Sequence, residues 1–228
     1  MEKLIAVIPA RGGSRRLPGK NLTQVNGRPL LAHTIHQARN SQWIDTVYVS
    51  TDNDEVASVA RENGAEVIAR PAVLADDRSS SEEAVLHAMD NIEAANGVLP
   101  PAIVMLQCTS PVRESDDIDN AIKQFFADDA DSLLSACATK EFIWRYKGDC
   151  GVPLNYEIGN RPRSQDLEPQ YQENGSIYIS RTELLRKTRN RLGGKIVIYE
   201  MGFWARFEID DSDDLALIEW IMQRQNTG

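Results

Sequence analysis

Leu4-Ile5-Ala6-Val7-Ile8-Pro9-Ala10-Arg11-Gly12-Gly13-Ser14-Arg15-Arg16-Leu17-Pro18-Gly19-Lys20-Asn21 is the stretch on which the fold turns. Its first five residues are an unbroken apolar run, the pattern of a strand buried on both faces. From Pro9 to Asn21 follow three glycines, two prolines, three arginines and a lysine. Such a segment neither continues a strand nor opens a long helix. It can wrap an anion, because glycines let backbone N–H groups approach closely and basic side chains neutralise charge. A triphosphate is the obvious guest. The phosphate-loop pattern G-x-x-x-x-G-K-[ST] fails twice here: five residues separate Gly13 from Gly19, and Asn21 stands where a metal-binding hydroxyl is required. The dinucleotide pattern G-x-G-x-x-G is absent as well. Taken alone, the loop is also compatible with a solvated basic turn.

Outward from this loop the chain alternates. Leu30, Leu31, Thr34, Ile35 and Ala38 share a helical face after Pro29, and Thr46 to Val49 is the next strand. Asp52 and Glu55 have capping-box spacing ahead of a helix, as do Ser80 and Glu83. Val67-Ile68, Ile103 to Leu106 and Ser132 to Ala136 read as further strands, with helices between carrying Val85, Leu86, Met89 and Ile92, then Ile118, Ile122 and Phe125. The rhythm breaks from 139 to 172, which hold Trp144, Tyr146, Tyr156 and three prolines. This is an aromatic excursion, not a flexible linker. Ser176 to Ile179, a helix near Thr182 to Lys187, Ile196 to Tyr199 and a final helix through Leu215, Ile218, Ile221 and Met222 restore the pattern. The expectation is an α/β fold of three layers, Rossmann-like, with a mostly parallel sheet and helices on both faces. The main domain would comprise 1–138 and 173–228, with 139–172 as a small inserted arm.

The 228 residues carry a net charge of −9, which argues against a nucleic-acid partner. Within the first twenty residues, however, five basic side chains face a single acid, Glu2. A basic island in an acidic chain suits one small anion better than a polyanion. No apolar run is long enough to span a membrane. Met1-Glu2-Lys3 leads straight into the first strand, so no leader peptide is expected. Cys108, Cys137 and Cys150 lack metal spacing and read as reduced thiols, so a cytoplasmic location is expected.

Nucleotidyl transfer needs charge neutralisation, a divalent metal and an aligned nucleophile. Glu208, Asp210, Asp211, Asp213 and Asp214 form the densest acidic cluster. On a strand, Glu208 and Asp210 point to one face, a pairing suited to Mg²⁺. Asp211 to Asp214 are better read as acids at a helix start. Ser79 to Ser81 offer hydroxyls at a helix N-terminus, where one alone suffices for capping.

Ile8-Pro9-Ala10-Arg11-Gly12-Gly13-Ser14 with Leu17-Pro18-Gly19-Lys20-Asn21-Leu22 resembles the signature of cytidylyltransferases that activate acidic nine-carbon sugars, the N-acylneuraminate cytidylyltransferases. Further segments resemble that family in order: Arg70-Pro71-Ala72-Val73-Leu74-Ala75, Leu106-Gln107-Cys108-Thr109-Ser110-Pro111, Asn174-Gly175-Ser176-Ile177-Tyr178-Ile179 and Glu208-Ile209-Asp210. The resemblance implies CTP and an acidic nonulosonic sugar as substrates, Mg²⁺ as cofactor and a homodimer joined through the arm. By it, Arg11, Lys20 and Asp210 are catalytic. Arg11, Gly12, Gly13, Ser14, Lys20, Asn21, Arg70, Ser80 and Ser81 bind the nucleotide. Gln107, Ser110, Arg163, Asn174 and Tyr178 serve the sugar. Asp210 and Glu208 hold the metal. Two positions depart from the family: Glu208 replaces the usual aspartate, and Arg145 stands near the place of an arm lysine that reaches the neighbouring site.

Overall fold

The computed structural model describes residues 2–14, 16–76 and 78–225. Arg15, part of the basic loop, lies outside the described residues. The elements in order are β1 (Leu4–Pro9), β2 (Gln24–Val25), β3 (Arg28–Pro29), α1 (Leu30–Asn40), β4 (Ile44–Thr51), α2 (Asp54–Glu62), β5 (Glu66–Ala69), α3 (Ser81–Asn96) and β6 (Ala102–Leu106). Then follow α4 (Asp117–Ala127), β7 (Ser132–Thr139), β8 (Trp144–Lys147), β9 (Cys150–Pro153), β10 (Gln170–Arg181), α5 (Thr182–Thr188), β11 (Ile196–Met201) and α6 (Ser212–Gln225).

Seven strands make one sheet in the order β11-β7-β10-β6-β1-β4-β5. β1 is parallel to both β4 and β6, so successive crossovers leave β1 in opposite directions along the sheet. That reversal opens a crevice at the carboxyl ends of β1 and β6. The glycine loop leaves β1 at this crevice and Gln107-Cys108-Thr109 leaves β6 beside it.

β1 explains the layering. Leu4, Ala6 and Ile8 face one core with Leu31 of α1, Val56 of α2, Phe125 of α4 and Ile218 of α6. Ile5 and Val7 face the other with Val85 and Met89 of α3 and Leu185 of α5. Alternate side chains of a strand point to opposite faces, so a strand apolar at every position needs a helical layer on each side.

Three expectations shift. β10 runs antiparallel to both of its neighbours. The chain returns to β7 directly from the excursion, without the crossover helix that a parallel pairing needs. Thr139 closes β7 and Gln170 pairs with it, so the excursion occupies 140–169 only. Its two-stranded β8–β9 unit exposes Trp144, Tyr146 and Leu154. Finally, α2 is capped by Asn53, whose side chain accepts from the Val56 N–H, and not by Asp52. The second expected capping box, Ser80 with Glu83, is present in both directions.

Candidate active site

The loop after β1 is held from three sides. Gly12 N–H donates to Asp52 Oδ1 at 2.9 Å, at the carboxyl end of β4. A Cβ on Gly12 would lie 2.7 Å from Asn53 Cβ, so only glycine lets the loop pass this close. The Asn21 amide donates to Arg11 O at 2.9 Å and braces the loop internally. Leu17 N–H donates weakly to Ser14 Oγ at 3.4 Å. Arg11 reaches Asp76 O at 2.6 Å, drawing in the segment after β5. Arg70 is buried and bonds Ser50 through Nε at 3.1 Å and through Nη2 to the carbonyl. Burial holds its guanidinium below the ordinary value; Asp52 opposes this and Arg11 adds to it. Arg11, Asp52 and Arg70 therefore form one electrostatic group beside the glycine turn.

Lys20 extends from the far end of the loop, its side chain only 11% exposed. Its Nζ donates to Ile209 O at 2.7 Å and to Asp210 Oδ1 at 3.0 Å. Arg16 Nη1 takes the other oxygen, Oδ2, at 2.8 Å. Residues 190 apart in sequence thus share one side of the crevice. Segment 207–210 is not a strand. It is tied down instead by Ile209 N–H donating to Thr109 O at 2.8 Å, beyond the end of β6. Glu208 and Asp210 nevertheless interact. Burial raises the Glu208 carboxyl, the negative charge of Asp210 raises it further, and Lys20 offsets part of this. Burial also pushes Asp210 up, but Lys20 and Arg16 outweigh it and the net shift is downward.

Gly175 marks where the sugar-side expectation meets the acidic one. Its φ is +64°, and a Cβ there would lie 2.8 Å from Gln107 Oε1 and 2.9 Å from Glu208 Oε1. Gln107, Glu208 and the Gly175 turn therefore share one surface.

The other expected sugar contacts lie in different surroundings. Asn174 is wholly enclosed. Its Oδ1 accepts from Ser135 Oγ at 2.6 Å and Ser176 N at 3.3 Å, and its amide donates to Ala205 O at 3.1 Å. It positions the turn and has no surface to offer a ligand. Tyr178 is 3% exposed, its hydroxyl donates to Glu173, and its ring lies 4.4 Å from the Arg191 guanidinium carbon. Burial, chiefly, raises that phenol. Ser110 is 1% exposed and its hydroxyl is enclosed without a hydrogen-bond partner. The periodicity of β10 cannot tell a strand residue facing a cleft from one facing a helix layer. Arg163 stands exposed on the excursion, ion-paired to Asp166 at 2.6 Å; among the described residues no hydrogen bond or ion pair joins its side chain to the crevice. Arg145 lies exposed in β8. At α3, the Ser80 hydroxyl accepts from Glu83 N–H as the cap, and Ser81 is the first helical residue.

Two residues escaped the sequence reading: Asp52, which latches Gly12, and Arg16, which shares Asp210 with Lys20. Asp52 ends Ser50-Thr51-Asp52 at the carboxyl end of β4, and that position was its available signal.

Glu208 and Asp210 offer carboxylate oxygens, the donor type a hard divalent cation takes, and both Asp210 oxygens are bonded here to Lys20 and Arg16. No group of three or more His, Cys, Asp or Glu residues is placed to hold a metal among the described residues. Two carboxylates completed by water and phosphate oxygens match the usual habit of Mg²⁺.

An open α/β sheet with a basic glycine turn and two carboxylates near its carboxyl edge defines an α/β protein of the class that binds ligands beyond its strand ends. The chain belongs to the cytidylyltransferase family, whose model matches residues 5–226. It is 30% identical over 217 residues to an N-acylneuraminate cytidylyltransferase of Streptococcus agalactiae, covering 93% of this chain and 51% of that protein. The chain thus spans about half the length of the curated N-acylneuraminate cytidylyltransferases it matches. A Campylobacter coli protein, "Post-translational flagellin modification protein B", is 27% identical over 229 residues, covering 99% of this chain and 97% of the other. A solved structure of CMP:2-keto-3-deoxy-manno-octonic acid synthetase complexed with CTP matches with a TM-score of 0.73 at 19% identity, over 98% of this chain and 100% of that one. That last likeness is one of fold. No described helix is long and apolar enough to cross a membrane.

Proposed function

We propose that the chain transfers CMP from CTP to the anomeric hydroxyl of a sialic-type nonulosonic acid. The hydroxyl oxygen bonds to the α-phosphorus, the bond from that phosphorus to the bridging oxygen breaks, pyrophosphate leaves, and the hydroxyl proton passes to solvent. The observation that supports this reading is the joining of Lys20 to Ile209 and Asp210, which brings the basic loop and the acidic segment together where both would face one set of phosphates. Lys20, Arg11 and Gly12 would neutralise and orient the triphosphate, with Arg70 and Ser81 on the cytidine side. Gln107 faces the sugar. Mg²⁺ held by Asp210, with Glu208 beside it, would supply charge neutralisation of the departing pyrophosphate.

The identities to N-acylneuraminate cytidylyltransferases support a sialic-type acid. Kdo, legionaminic and pseudaminic acids are the alternative substrates, because their differences lie away from the shared carboxylate. A noncatalytic nucleotide-sugar-binding module is the remaining reading. The exposed aromatic and aliphatic side chains of the excursion support a homodimer joined there, which would carry Arg163 or Arg145 toward a neighbouring crevice. Cytoplasmic supply of a capsule or lipopolysaccharide follows from the same substrates.

A pyrophosphate-release screen with CTP, Mg²⁺ and a panel of nonulosonic acids tests the proposal. Release dependent on a sialic-type acid supports it, and release dependent only on Kdo, legionaminic or pseudaminic acid replaces it with that alternative. Tight nucleotide binding with no pyrophosphate release from any acid supports the noncatalytic module instead.

A further inference from the structure

We infer that Arg113 is a positioning residue that sets Gln107 and the Gly175 turn for the acidic sugar. The inference rests on the reading of Gln107 as a sugar contact and deepens it.

Gln107 is the first residue beyond β6, where the sheet ladder ends and its carbonyl needs another donor. Its own N–H reaches Ser176 O only at 3.4 Å. Arg113 closes the gap. Its Nη2 donates to both Gln107 O and Ser176 O at 2.9 Å. One guanidinium nitrogen thereby locks the end of β6 to the β10 residue that follows Gly175. Nη1 donates to Gln37 Oε1 at 2.7 Å and Thr34 Oγ1 at 3.3 Å, both on α1. Gln37 in turn donates through Nε2 to Pro111 O at 2.8 Å, pinning the loop between Gln107 and Arg113 to the same helix.

The arrangement is costly. Arg113 is 7% exposed, no carboxylate among the described residues forms a salt bridge with it, and its Nε is enclosed without a partner. Burying a guanidinium without a direct counter-ion carries a desolvation penalty that hydrogen bonds to carbonyls only partly offset. An apolar residue would fill the core with less penalty. What the planar fork adds is fixed geometry: four acceptors, from a helix, the end of β6 and the interior of β10, are held by one rigid group. Lysine offers a point charge without that fork. Gln107 and Gly175 are the two positions that this lock governs, and both face Glu208.

The test uses the full chain with Arg113→Lys, Gln37→Ala and Gln107→Ala, each followed by melting temperature, by KM for the sugar acid and for CTP, and by amide hydrogen exchange at 107–113 and 175–176. Gln37→Ala leaves the Arg113 charge and its two strand bonds in place, so it remains informative where Arg113→Lys folds poorly. The expected result is a rise of about tenfold in sugar KM for Arg113→Lys, a smaller rise for Gln37→Ala, and CTP KM unchanged. Exchange at 107–113 should quicken by about the same factor, a readout that needs no turnover. Combining Gln37→Ala with Gln107→Ala should add nothing beyond Gln107→Ala alone. A folded Arg113→Lys protein with unaltered sugar KM and unaltered exchange overturns the inference, as do equal changes in both KM values. An unaltered sugar KM in Gln107→Ala overturns the reading of Gln107 and this inference with it. An effect of Gln107→Ala without one from Arg113→Lys overturns the role of Arg113 alone.

Discussion

Replacing Lys20 by Ala is expected to remove most turnover while leaving the fold standing. In the structure Nζ lies 3.0 Å from Asp210 Oδ1, and two unit charges at that separation attract by about 5 kcal/mol at an effective dielectric of ~20. Little of this is net stability. The Asp210 side chain is 43% exposed and keeps Arg16 at 2.8 Å, so the stability loss should be about 1 kcal/mol. Under the proposed function the catalytic loss is larger, because the same ammonium would face phosphates whose charge shifts in the transition state. Removing one preorganised donor of this kind typically lowers kcat by roughly 10²–10³, or about 3–4 kcal/mol. The assay is pyrophosphate release with CTP and the preferred sugar acid, alongside a thermal melt of the same preparation. A well-folded Lys20→Ala protein whose kcat/KM falls by less than about tenfold would refute the placement of Lys20 on the phosphates.

Gly12→Ala places a methyl 2.7 Å from Asn53 Cβ, and the resulting overpacking should cost about 1–3 kcal/mol and weaken CTP binding, read by thermal melting and calorimetric titration. Asn174→Ala takes the acceptor from the Ser135 hydroxyl, which still receives Ile177 N–H, and the amide donor from Ala205 O; a loss of about 1–3 kcal/mol is expected in urea unfolding. The positioning role of Asn174 is untenable if that loss is absent. For Asp210 the folded carboxyl sits below its ordinary value of 3.8, so the folded state binds this proton less tightly than the unfolded one. Its contribution is present above the unfolded value and is lost as pH falls through the folded one. The stability gap between the native protein and Asp210→Asn, about 0–1 kcal/mol for so exposed a pair, should shrink on acidification and be steady near neutrality, which denaturant midpoints across pH would check.

The opening strand, the anion loop and most helix faces were legible because they rest on short-range physics. A short unbroken apolar run marks β1 and β6, helical spacing marks α1 and α4, and glycine with proline marks where the chain must turn. The Ser80–Glu83 cap was readable because both hydrogen bonds lie within one helical turn. Asp52–Glu55 had the same spacing and a different outcome, since Asn53 took the cap and the Asp52 carboxylate turned to Gly12. Spacing proposes a local bond; a competing partner brought in by the fold decides whether it forms.

By itself, then, the sequence determined a doubly wound α/β chain with a basic turn after its first strand, an aromatic interruption near two-thirds of its length and carboxylates near its end. Tertiary structure alone decided which of these meet. It set Lys20 against Asp210, turned β10 antiparallel, enclosed Asn174, Ser110 and Tyr178 beneath the crevice, and kept Gln107 beside Glu208. The reason is physical. Period and turn chemistry act over a few residues, whereas burial and pairing of a polar group depend on neighbours from about thirty to 190 positions away that only the assembled sheet delivers.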